Sequence, residues 1–215
     1  MAKREDGKET RRRLLNAACE VFAQKGYRNA KVAEICRRAG ANVASVNYYF
    51  GDKDSLYKEA YLQALERIGA RFFPQTAAGS LDDQLRVYIR TLIENFAADG
   101  DLGRISRLYL MEMVNPTGLI QDAWHDTVEP TRRKLHAIIR GILGADAGET
   151  DIRFCELSIV NQCRMLVTVK RDDLEYMLGA PLDGALVSRF ADHVADFSLA
   201  GIKALGSRKP RVHPL

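Results

Sequence analysis

Residues 32–50 read VAEICRRAGANVASVNYYF, and in this segment two short helical patterns flank a turn. The first helix is predicted over Val32 to Ala39 and the second over Val43 to Tyr49. Residues 40–42 (Gly-Ala-Asn) separate them and begin with the glycine that a tight turn favours. The pattern predicts two helices that meet at a sharp angle, as in a helix-turn-helix.

The residues around the turn match what a helix-turn-helix requires. Such a unit needs a small side chain where its helices cross, a turn residue that tolerates positive φ, and an apolar anchor on the second helix. Cys36, Gly40 and Val46 occupy these three places, and Asn42 is a favourable N-cap for the second helix. An ordinary helical hairpin has similar spacing, so the spacing alone leaves a DNA-binding unit and a hairpin both open.

Polar and aromatic side chains crowd the end of the second helix. Asn47, Tyr48 and Tyr49 follow one another there, and amide and phenol groups suit base edges and phosphate oxygens. Buried aromatics would instead repeat every three or four residues, a spacing that only Val46 and Phe50 keep as core anchors. This helix end favours the DNA-binding interpretation.

Four segments together resemble the TetR family of bacterial transcriptional regulators. The family signature is a first helix ending in F-x-x-x-G-[YF], then I-x-x-x-A-G, then an aromatic Y-Y-[HY]-F ahead of a lysine. This chain has Phe22–Tyr27 (FAQKGY), Ile35–Gly40 (ICRRAG), Tyr48–Phe50 (YYF) and Lys53 in that order. The resemblance covers residues 9–60.

The chain also resembles the CecR-like subgroup of this family, through GANVASVNYYFGDK at residues 40–53 and MEMVNPT at residues 111–117. The resemblance implies an all-α fold, with an amino-terminal three-helix helix-turn-helix domain and a larger helical ligand-binding and dimerisation domain. We expect the DNA-binding domain over residues 1–55, the effector-binding and dimerisation domain over residues 56–206, and a disordered basic tail over residues 207–215.

Helical patterns extend through the rest of the chain, and the alternation typical of β-strands is absent. One helix, Asp151–Val169, is nearly apolar all round, which predicts a central, buried position. Gly26 is expected to end the first helix, Pro130 falls near the start of a later one, and the loop at 75–79 is the expected domain boundary. The other predicted helices are Thr10–Gln24, Lys53–Phe73, Leu81–Ala98, Leu102–Val114, Leu119–Val128, Thr131–Leu143 and Asp183–Leu205.

Basic residues concentrate in the first quarter of the chain. The protein has a formal net charge of +4, but residues 1–51 contain eleven Lys or Arg against five Asp or Glu. The remaining 164 residues contain 21 against 23, so a basic amino-terminal quarter precedes a slightly acidic body. Joined to the helix-turn-helix pattern, this asymmetry suits binding to the phosphates of DNA.

The composition is that of an ordinary globular protein, with 47% apolar and 28% charged residues among 215. No apolar run approaches the roughly 18 residues of a membrane span, and the polar start has no signal-peptide core. We therefore expect a cytoplasmic protein without a membrane partner. Cys19, Cys36, Cys155 and Cys163 lack metal-ligand spacing, which favours packed thiols over a redox switch, and no metal or cofactor is expected.

Side-chain chemistry and position in the family motif assign contacts along the second helix. An Asn amide satisfies the paired donor and acceptor of adenine, and small apolar side chains at a helix start can touch thymine methyl groups. The family's matching positions at the helix end and just beyond it grip phosphates. We assign base edges to Ser45 and Asn47, thymine methyls to Val43 and Ala44, and phosphates to Tyr48, Tyr49 and Lys53.

Three further features outside the second helix bear on DNA binding. Its N-cap, Asn42, joins the candidate DNA-binding residues, as does Lys31, which stands where the family usually has a Ser or Thr cap. The lysine forgoes that cap but can gain a phosphate contact. The run Arg11–Arg13 can add contacts to the DNA backbone, although a solvated basic face is the favoured interpretation.

A single helix-turn-helix makes too few contacts for a specific site, so such proteins bind two half-sites as symmetric dimers. We expect a homodimer on a palindromic operator, formed through the last two long helices, because the apolar stripe of a terminal helix needs a partner. TetR-like proteins form a four-helix interface there, and the resemblance implies the same here. Packing of this stripe within one chain is the alternative.

TetR-like proteins generally couple DNA release to a small ligand held among the middle helices. We expect a mostly apolar or aromatic effector, and the CecR-like resemblance suggests a response to an antibiotic or another xenobiotic. Two amides inside an apolar helix, Asn161 and Gln162, need partners across a dimer or in a ligand. Core packing is the simpler interpretation of the aromatic and methionine candidates. The candidate lining residues are Phe96, Leu108, Met111, Trp124, His125, Phe154, Asn161, Gln162 and Met165.

Together these features predict a DNA-binding transcriptional regulator, most simply a ligand-responsive repressor. An adaptor of the same fold, which presents a surface to another protein without a small-molecule ligand, is the first alternative. An all-α enzyme is disfavoured, because the sequence has no nucleophile–base pair, HExxH motif, glycine-rich phosphate loop or metal cluster. Activation in place of repression stays open.

Overall fold

A computed structural model describes residues 2–72 and 79–207 of the chain. Within these ranges the predicted all-α fold is confirmed, with ten helices and no strand. None of the helices in the described ranges is long and apolar enough to cross a membrane. The helices are α1 (Ala2–Asn29), α2 (Val32–Ala39), α3 (Val43–Phe50), α4 (Lys53–Phe72), α5 (Leu81–Ala97), α6 (Gly100–Val114), α7 (Gln121–Leu143), α8 (Glu149–Thr168), α9 (Arg171–Leu178) and α10 (Gly184–Gly206).

The helices form two compact units. The head comprises Met1–Gly69 and Asp99–Thr127, and the body comprises Ala70–Ala98 and Val128–Leu215. The head thus contains most of α4 and all of α6 in addition to the helix-turn-helix. The functional boundary expected after residue 55 stays a prediction. The predicted tail lies outside the described residues apart from Ser207, as does the predicted boundary loop apart from its last residue.

α1 supplies the centre of the head core. Its predicted apolar face is confirmed, because Leu14, Ala18, Val21 and Phe22 are all completely buried. The helix packs against α2 on one side and α6 on another. The helix-turn-helix is therefore stabilised by packing against the apolar face of α1 and not by its two short helices alone.

The ends of α1 differ from the prediction. The helix begins at Ala2 rather than Thr10. The prediction missed this extension because residues 2–9 are mostly polar and show no apolar periodicity. At Gly26 the backbone leaves the helical region (φ 70, ψ 168), a conformation that glycine adopts without strain. The predicted stop is therefore a kink, after which one further turn runs to Asn29.

The body core forms where α5, α8 and α10 pack together. α5 begins with the predicted capping box, in which Ser80 Oγ accepts a hydrogen bond from the Asp83 N–H and Asp83 Oδ2 accepts one from the Ser80 N–H, both at 3.2 Å. Arg86 pairs with Asp196 at 2.6 Å on the surface between α5 and α10. Exposed pairs of this kind add little, so the apolar faces hold the unit together.

A largely buried carboxylate links α7 to α8. Arg132 Nε donates to Glu156 at 2.7 Å, and His136 Nε2 lies 2.8 Å from the other carboxylate oxygen. Burial would raise the pKa of Glu156, but the hydrogen bonds from Arg132 and His136 outweigh burial and hold the pKa below its ordinary value. The ionised carboxylate therefore stabilises the folded body.

The prediction of two helices around Pro130 is wrong. α7 runs unbroken over Gln121–Leu143 with Pro130 inside it, in place of the predicted Leu119–Val128 and Thr131–Leu143. A proline removes one hydrogen bond and crowds the preceding turn, but burial of the following turn, where Leu135 is completely enclosed, holds the helix together.

The prediction that the helix at Asp151–Val169 is buried on all sides is wrong for the single chain. In α8, Ile152, Ile159 and Cys163 are buried along one face, the pattern of a helix that packs on one side. Phe154 and Leu157 are 60% and 53% exposed. An apolar composition alone does not distinguish a core helix from one that offers a face to another chain.

The thiols are packed, as the sequence favoured. Cys36, Cys155 and Cys163 are buried, and the half-buried Cys19 donates from Sγ to the Ala60 carbonyl at 3.2 Å. Burial raises the pKa of Cys163 to about 12, which keeps that thiol protonated and unreactive near neutral pH.

Candidate DNA-binding surface

The turn between α2 and α3 has the backbone geometry that its glycine predicts. Gly40 adopts the left-handed conformation (φ 61, ψ 40), and its N–H donates to the Arg37 carbonyl at 3.3 Å. The Ala41 N–H donates to the Cys36 carbonyl at 2.9 Å, which completes a Schellman motif. Since a side chain at position 40 would strain this backbone, the angle between the helices depends on Gly40.

Asn42 caps α3, as predicted. Its backbone is extended (φ −94, ψ 164), and its Oδ1 accepts hydrogen bonds from the Ser45 N–H at 2.9 Å and from Ser45 Oγ at 3.0 Å. The cap satisfies one of the N–H groups that a helix start leaves without a partner. α3 therefore starts at a defined residue, which orients the side chains that follow.

The two predicted anchors hold the inner face of α3. Val46 is completely buried and Phe50 is 6% exposed. The Arg11 guanidinium lies 5.2 Å from the centre of the Phe50 ring and also pairs with Glu59. This arginine therefore acts in the head's own packing, which differs from the predicted solvated face.

The outer face of α3 presents the residues predicted to contact bases. Val43, Ala44, Asn47 and Tyr48 are exposed, and Ser45 is half-buried because it contacts its own cap. These side chains share one side of a short, capped helix. The geometry therefore leaves amide, hydroxyl and methyl groups available to the major groove of a duplex.

Tyr48 and Tyr49 form an edge-to-face pair at the end of α3, with ring centres 4.9 Å apart and planes at 82°. Tyr48 is 82% exposed, an unusual position for an aromatic side chain without a partner surface. The phenols lie where the sequence placed phosphate contacts, and that role stays a prediction.

The amino end of α1 lies beside these tyrosines, a neighbour that sequence reasoning missed. A Cβ on Gly7 would lie 3.3 Å from the Tyr49 hydroxyl, so the α1 backbone approaches that phenol closely. A groove of about 740 Å³ separates the elements, and its rim includes the exposed ammonium of Lys8. The only sequence signal for it was the basic character of the first quarter. The groove is lined by Asp6, Gly7, Lys8, Thr10, Arg11, Tyr48 and Tyr49.

Lys53 is held in place at the start of α4. Its ammonium lies 4.4 Å from the centre of the Tyr27 ring, a cation–π contact. Partial burial lowers the pKa of Lys53. The Tyr27 hydroxyl donates to Asp54, and this hydrogen bond, with burial, raises the pKa of Tyr27 to about 12. The Tyr27 ring thus positions the ammonium of Lys53, which follows the end of α3 by three residues in the sequence.

Lys31 precedes α2 without a side-chain cap, as its chemistry predicts. Its backbone is extended (φ −103, ψ 130) and its side chain is exposed. Elsewhere on the head, Lys25 and Arg38 both pair with Glu34, at 2.5 Å and 2.9 Å. Those two cations are partly neutralised, so Lys31 contributes more positive field than Lys25 or Arg38.

The predicted effector residues are divided between the two compact units. Leu108, Met111 and His125 belong to the head, and the other described candidates belong to the body. The side chain of Trp124 lies outside the described residues. The described candidates comprise buried Phe96 and Leu108, half-buried Met111, Gln162 and Met165, and exposed His125, Phe154 and Asn161.

The two amides of α8 are not buried without partners in the single chain. Asn161 is exposed, and the Gln162 side chain donates to the Ser158 carbonyl of its own helix at 3.0 Å. Neither amide therefore needs a ligand to satisfy it within this chain. Their assignment to an effector site stays a prediction without that support.

The head contains a cavity of about 420 Å³ at the end of α6. Among the predicted effector residues that the structure describes, only His125 lines it. The most deeply buried polar residue of the described lining is Glu112, which sequence reasoning did not single out. The available signal was a carboxylate inside the apolar run MEMV of residues 111–114. The cavity is lined by Glu112, Met113, Pro116, Gly118, Ile120, Gln121 and His125.

Two family models match the chain. Residues 14–60 match the model of bacterial regulatory proteins of the tetR family, and residues 81–202 match the C-terminal domain of the HTH-type transcriptional dual regulator CecR. The second match alone spans more than half of the 215 residues. The chain belongs to the TetR family, in its CecR-like subgroup. This TetR-family protein is a DNA-binding transcriptional regulator, as predicted.

Curated relatives agree with this placement. The HTH-type transcriptional dual regulator CecR of Shigella flexneri is 26% identical over 156 residues, which cover 67% of this TetR-family chain and 69% of CecR. The transcriptional regulator UidR of Escherichia coli K12 is 34% identical over 67 residues, which cover 31% of this chain and 34% of UidR. The first similarity extends over both units, whereas the second involves about a third of each protein.

Solved structures share the fold of this TetR-family protein. A transcriptional regulator from Rhodococcus sp. Rha1 has a TM-score of 0.67 at 20% identity, covering 93% of this chain and 99% of that one. The regulator FadR from Bacillus subtilis, solved in complex with stearoyl-CoA, has a TM-score of 0.63 at 16% identity, covering 88% and 97%. At such identities the likeness concerns the fold alone.

Proposed function

We propose that this TetR-family regulator is a ligand-responsive repressor that binds a palindromic operator as a homodimer in the cytoplasm. The observation that carries the proposal is the outer face of α3, where a capped and anchored helix exposes Asn47 and Tyr48. The relative CecR is named a dual regulator, which favours activation as a second mode at other operators. We propose no catalytic activity for the chain.

Asn47 is the proposed base-specific contact. Its amide is exposed on the helix turn after the cap, where it can donate to and accept from the edge of an adenine. Asn47→Ala should relax base preference at one position of each half-site, at a cost of about 1–3 kcal/mol. Lys31→Ala is the matched control, because loss of a phosphate contact should weaken all sequences alike. Selection of bound sequences from random DNA measures both, and an unchanged Asn47→Ala profile contradicts the assignment.

The proposed dimer surface is the exposed apolar side of α8 and α10. Phe154 and Leu157 on α8 and Phe197 on α10 are each more than half exposed, and Phe197 is 64% exposed. Large apolar side chains on two long helices mark an interaction site. TetR-family regulators bind DNA as dimers, so a second copy of this chain is the proposed partner.

Sedimentation velocity tests this dimer surface. Phe197→Asp should convert the dimer to a monomer, because it buries a charge in an apolar interface. Tyr176→Asp is the matched control, since Tyr176 is an aromatic side chain of α9 that is 89% exposed and lies off the two helices. A wild-type monomer, or a dimer that survives Phe197→Asp, contradicts the proposal.

The proposed effector is a small, mostly apolar or aromatic molecule that favours one of two spacings of the DNA-binding heads. An adaptor without a small ligand is the competing function. Thermal stability and operator affinity, measured across a library of antibiotics and other xenobiotics, separate the two. A compound that raises the melting temperature and weakens operator binding supports the repressor, and uniform inertness favours the adaptor.

A further inference from the structure

The cavity at the end of α6 contains a carboxylate that has no positive partner among the residues that the structure describes. Glu112 is 7% exposed and borders the cavity of about 420 Å³. No Lys, Arg or His nitrogen lies within 4.0 Å of its carboxylate among the residues that the structure describes. A carboxyl group is costly to bury without a positive partner, so such a group normally has a function or a bound partner.

Neutral donors hold this carboxylate in place. Thr117 donates to Glu112 Oε1 from its N–H at 2.8 Å and from Oγ1 at 2.9 Å, and the Tyr57 hydroxyl donates to Oε2 at 2.7 Å. These three donors fix the position of the carboxyl group, and lone pairs on both oxygens remain available.

The other walls of the cavity suit an apolar molecule. Met113 and Pro116 are apolar, and the buried Ile120 closes one side. Gln121 and His125 are exposed and line the same cavity. The described residues contain no cluster of three metal-binding side chains, so the lone carboxylate does not fit a resident metal ion.

We propose that this cavity binds an organic cation, whose ammonium or amidinium group pairs with Glu112 and whose apolar part packs on Met113, Pro116 and Ile120. The inference rests on the proposed function as a ligand-responsive regulator, and it narrows the effector class from apolar or aromatic molecules to those with one positive charge. A charge-assisted hydrogen bond to a desolvated carboxylate is stronger than a neutral one, which is the physical basis of the selectivity. An anion of the same shape is repelled.

A chain of direct contacts within the head connects the site to the DNA-binding surface. Tyr57 donates to Glu112 and packs edge-to-face on Tyr27, with ring centres 5.1 Å apart. Tyr27 in turn holds the Lys53 ammonium over its ring and donates to Asp54. A cation that draws Glu112 away from Tyr57 therefore disturbs the aromatic pair that positions Lys53, which couples the cavity to phosphate binding.

The test uses three probes with one ring system: 1-naphthylmethylammonium, 1-naphthylmethanol and 1-naphthylacetate. Isothermal titration calorimetry on the full chain should show the cation binding about tenfold more tightly than the alcohol, with no binding of the anion. Glu112→Gln, which keeps the shape of the side chain, should abolish the preference for the cation. Glu156→Gln is the matched control, because that carboxylate of the body already has Arg132 as a partner.

Two further variants protect the test against misfolding. Gln121→Trp changes an exposed residue on the rim and should block entry of the cation without loss of thermal stability. Tyr57→Phe keeps the carboxylate and should keep cation binding within about threefold, while it reduces the effect of the cation on operator affinity. Cation binding that persists unchanged in both Glu112→Gln and Gln121→Trp overturns the site.

The inference and the proposed function fail separately. Operator binding without any probe tests the regulator, and probe binding without DNA tests the cavity. A wild-type protein that binds its operator but shows no cation binding up to about 5 mM, or equal affinity for cation and anion, overturns the inference alone. A protein that binds the cation through Glu112 and binds no DNA overturns the proposed function and leaves the cavity site intact.

Discussion

The cap of the recognition helix offers a sharp test, because stability and DNA binding depend on it in different ways. Asn42 Oδ1 accepts hydrogen bonds from the Ser45 N–H at 2.9 Å and from Ser45 Oγ at 3.0 Å, and α3 is only eight residues long. So short a helix is marginal by itself, and its start contributes a large share of its stability. Asn42→Ala, Asn42→Ser and Asn42→Asp separate the two roles of the side chain.

The structure sets the expected magnitudes. Asn42→Ala removes the side-chain acceptor that caps the start of α3 and should lower the free energy of unfolding by about 1 kcal/mol. Asn42→Ser keeps a capping oxygen and should stay within about 0.5 kcal/mol of wild type. Asn42→Asp also keeps the cap and favours the helix dipole, so it should fold as well as wild type.

DNA affinity should follow a different order. Asn42→Asp adds one negative charge per head at the surface proposed to face phosphates, and a dimer carries two such heads. Operator affinity should fall by about tenfold or more at low salt, and the loss should shrink as salt rises. Urea denaturation measures the first effect, and fluorescence anisotropy across a salt series measures the second. The reasoning is refuted if Asn42→Asp binds DNA as wild type does at every salt concentration, or if Asn42→Ala is as stable as wild type.

Three further predictions follow from charged and phenolic groups. Lys53→Ala should weaken binding to all duplexes alike and reduce the salt slope by about 1, measured by anisotropy, whereas a loss confined to one sequence would contradict a phosphate role. Tyr57→Phe removes a 2.7 Å hydrogen bond to Glu112 and should cost about 1–3 kcal/mol in urea denaturation, and no loss would show that the carboxylate does not need this donor. Glu156→Gln should lower the free energy of unfolding by about 1 kcal/mol at neutral pH. The reason is that hydrogen bonds from Arg132 and His136 lower the pKa of Glu156 despite its burial. The ion pair therefore stabilises fully above the ordinary pKa of 4.5. The difference from wild type should shrink below that value and vanish as pH falls through the lower pKa of the folded state, so a constant difference down to strongly acidic pH would contradict it.

Local signals explain why the helix-turn-helix could be predicted closely. The bounds of α2 match the prediction and those of α3 differ by one residue, because a glycine with positive φ and an asparagine cap fix them from within the segment. Val46 and Phe50 were predicted as anchors from spacing alone, and both are buried. The exposed face of α3 followed from the same spacing.

Tertiary context explains most of what the sequence did not reveal. The unbroken α7 depends on the burial of turns after Pro130, which local propensity cannot register. The one-sided burial of α8 depends on how many helices surround it. A helix buried on one side and a helix buried on all sides can have the same apolar composition. The start of α1, which lies near Tyr49, shows no apolar periodicity that would predict a helix. The hydrogen bond between Glu112 and Tyr57 joins residues far apart in the sequence, so no local pattern could indicate it.

The most direct test of the central claim is a selection of binding sites from random double-stranded DNA by the purified protein at low salt, followed by measurement of stoichiometry. Two copies of the head on a symmetric dimer should enrich inverted repeats whose half-site centres lie about 10 base pairs, or a multiple of that, apart, with two protomers per duplex. Enrichment should vanish when Asn47 and Lys53 are both replaced by alanine. A protein that binds no duplex at low salt, with or without added compounds, or that enriches sites without two-fold symmetry, would contradict the account.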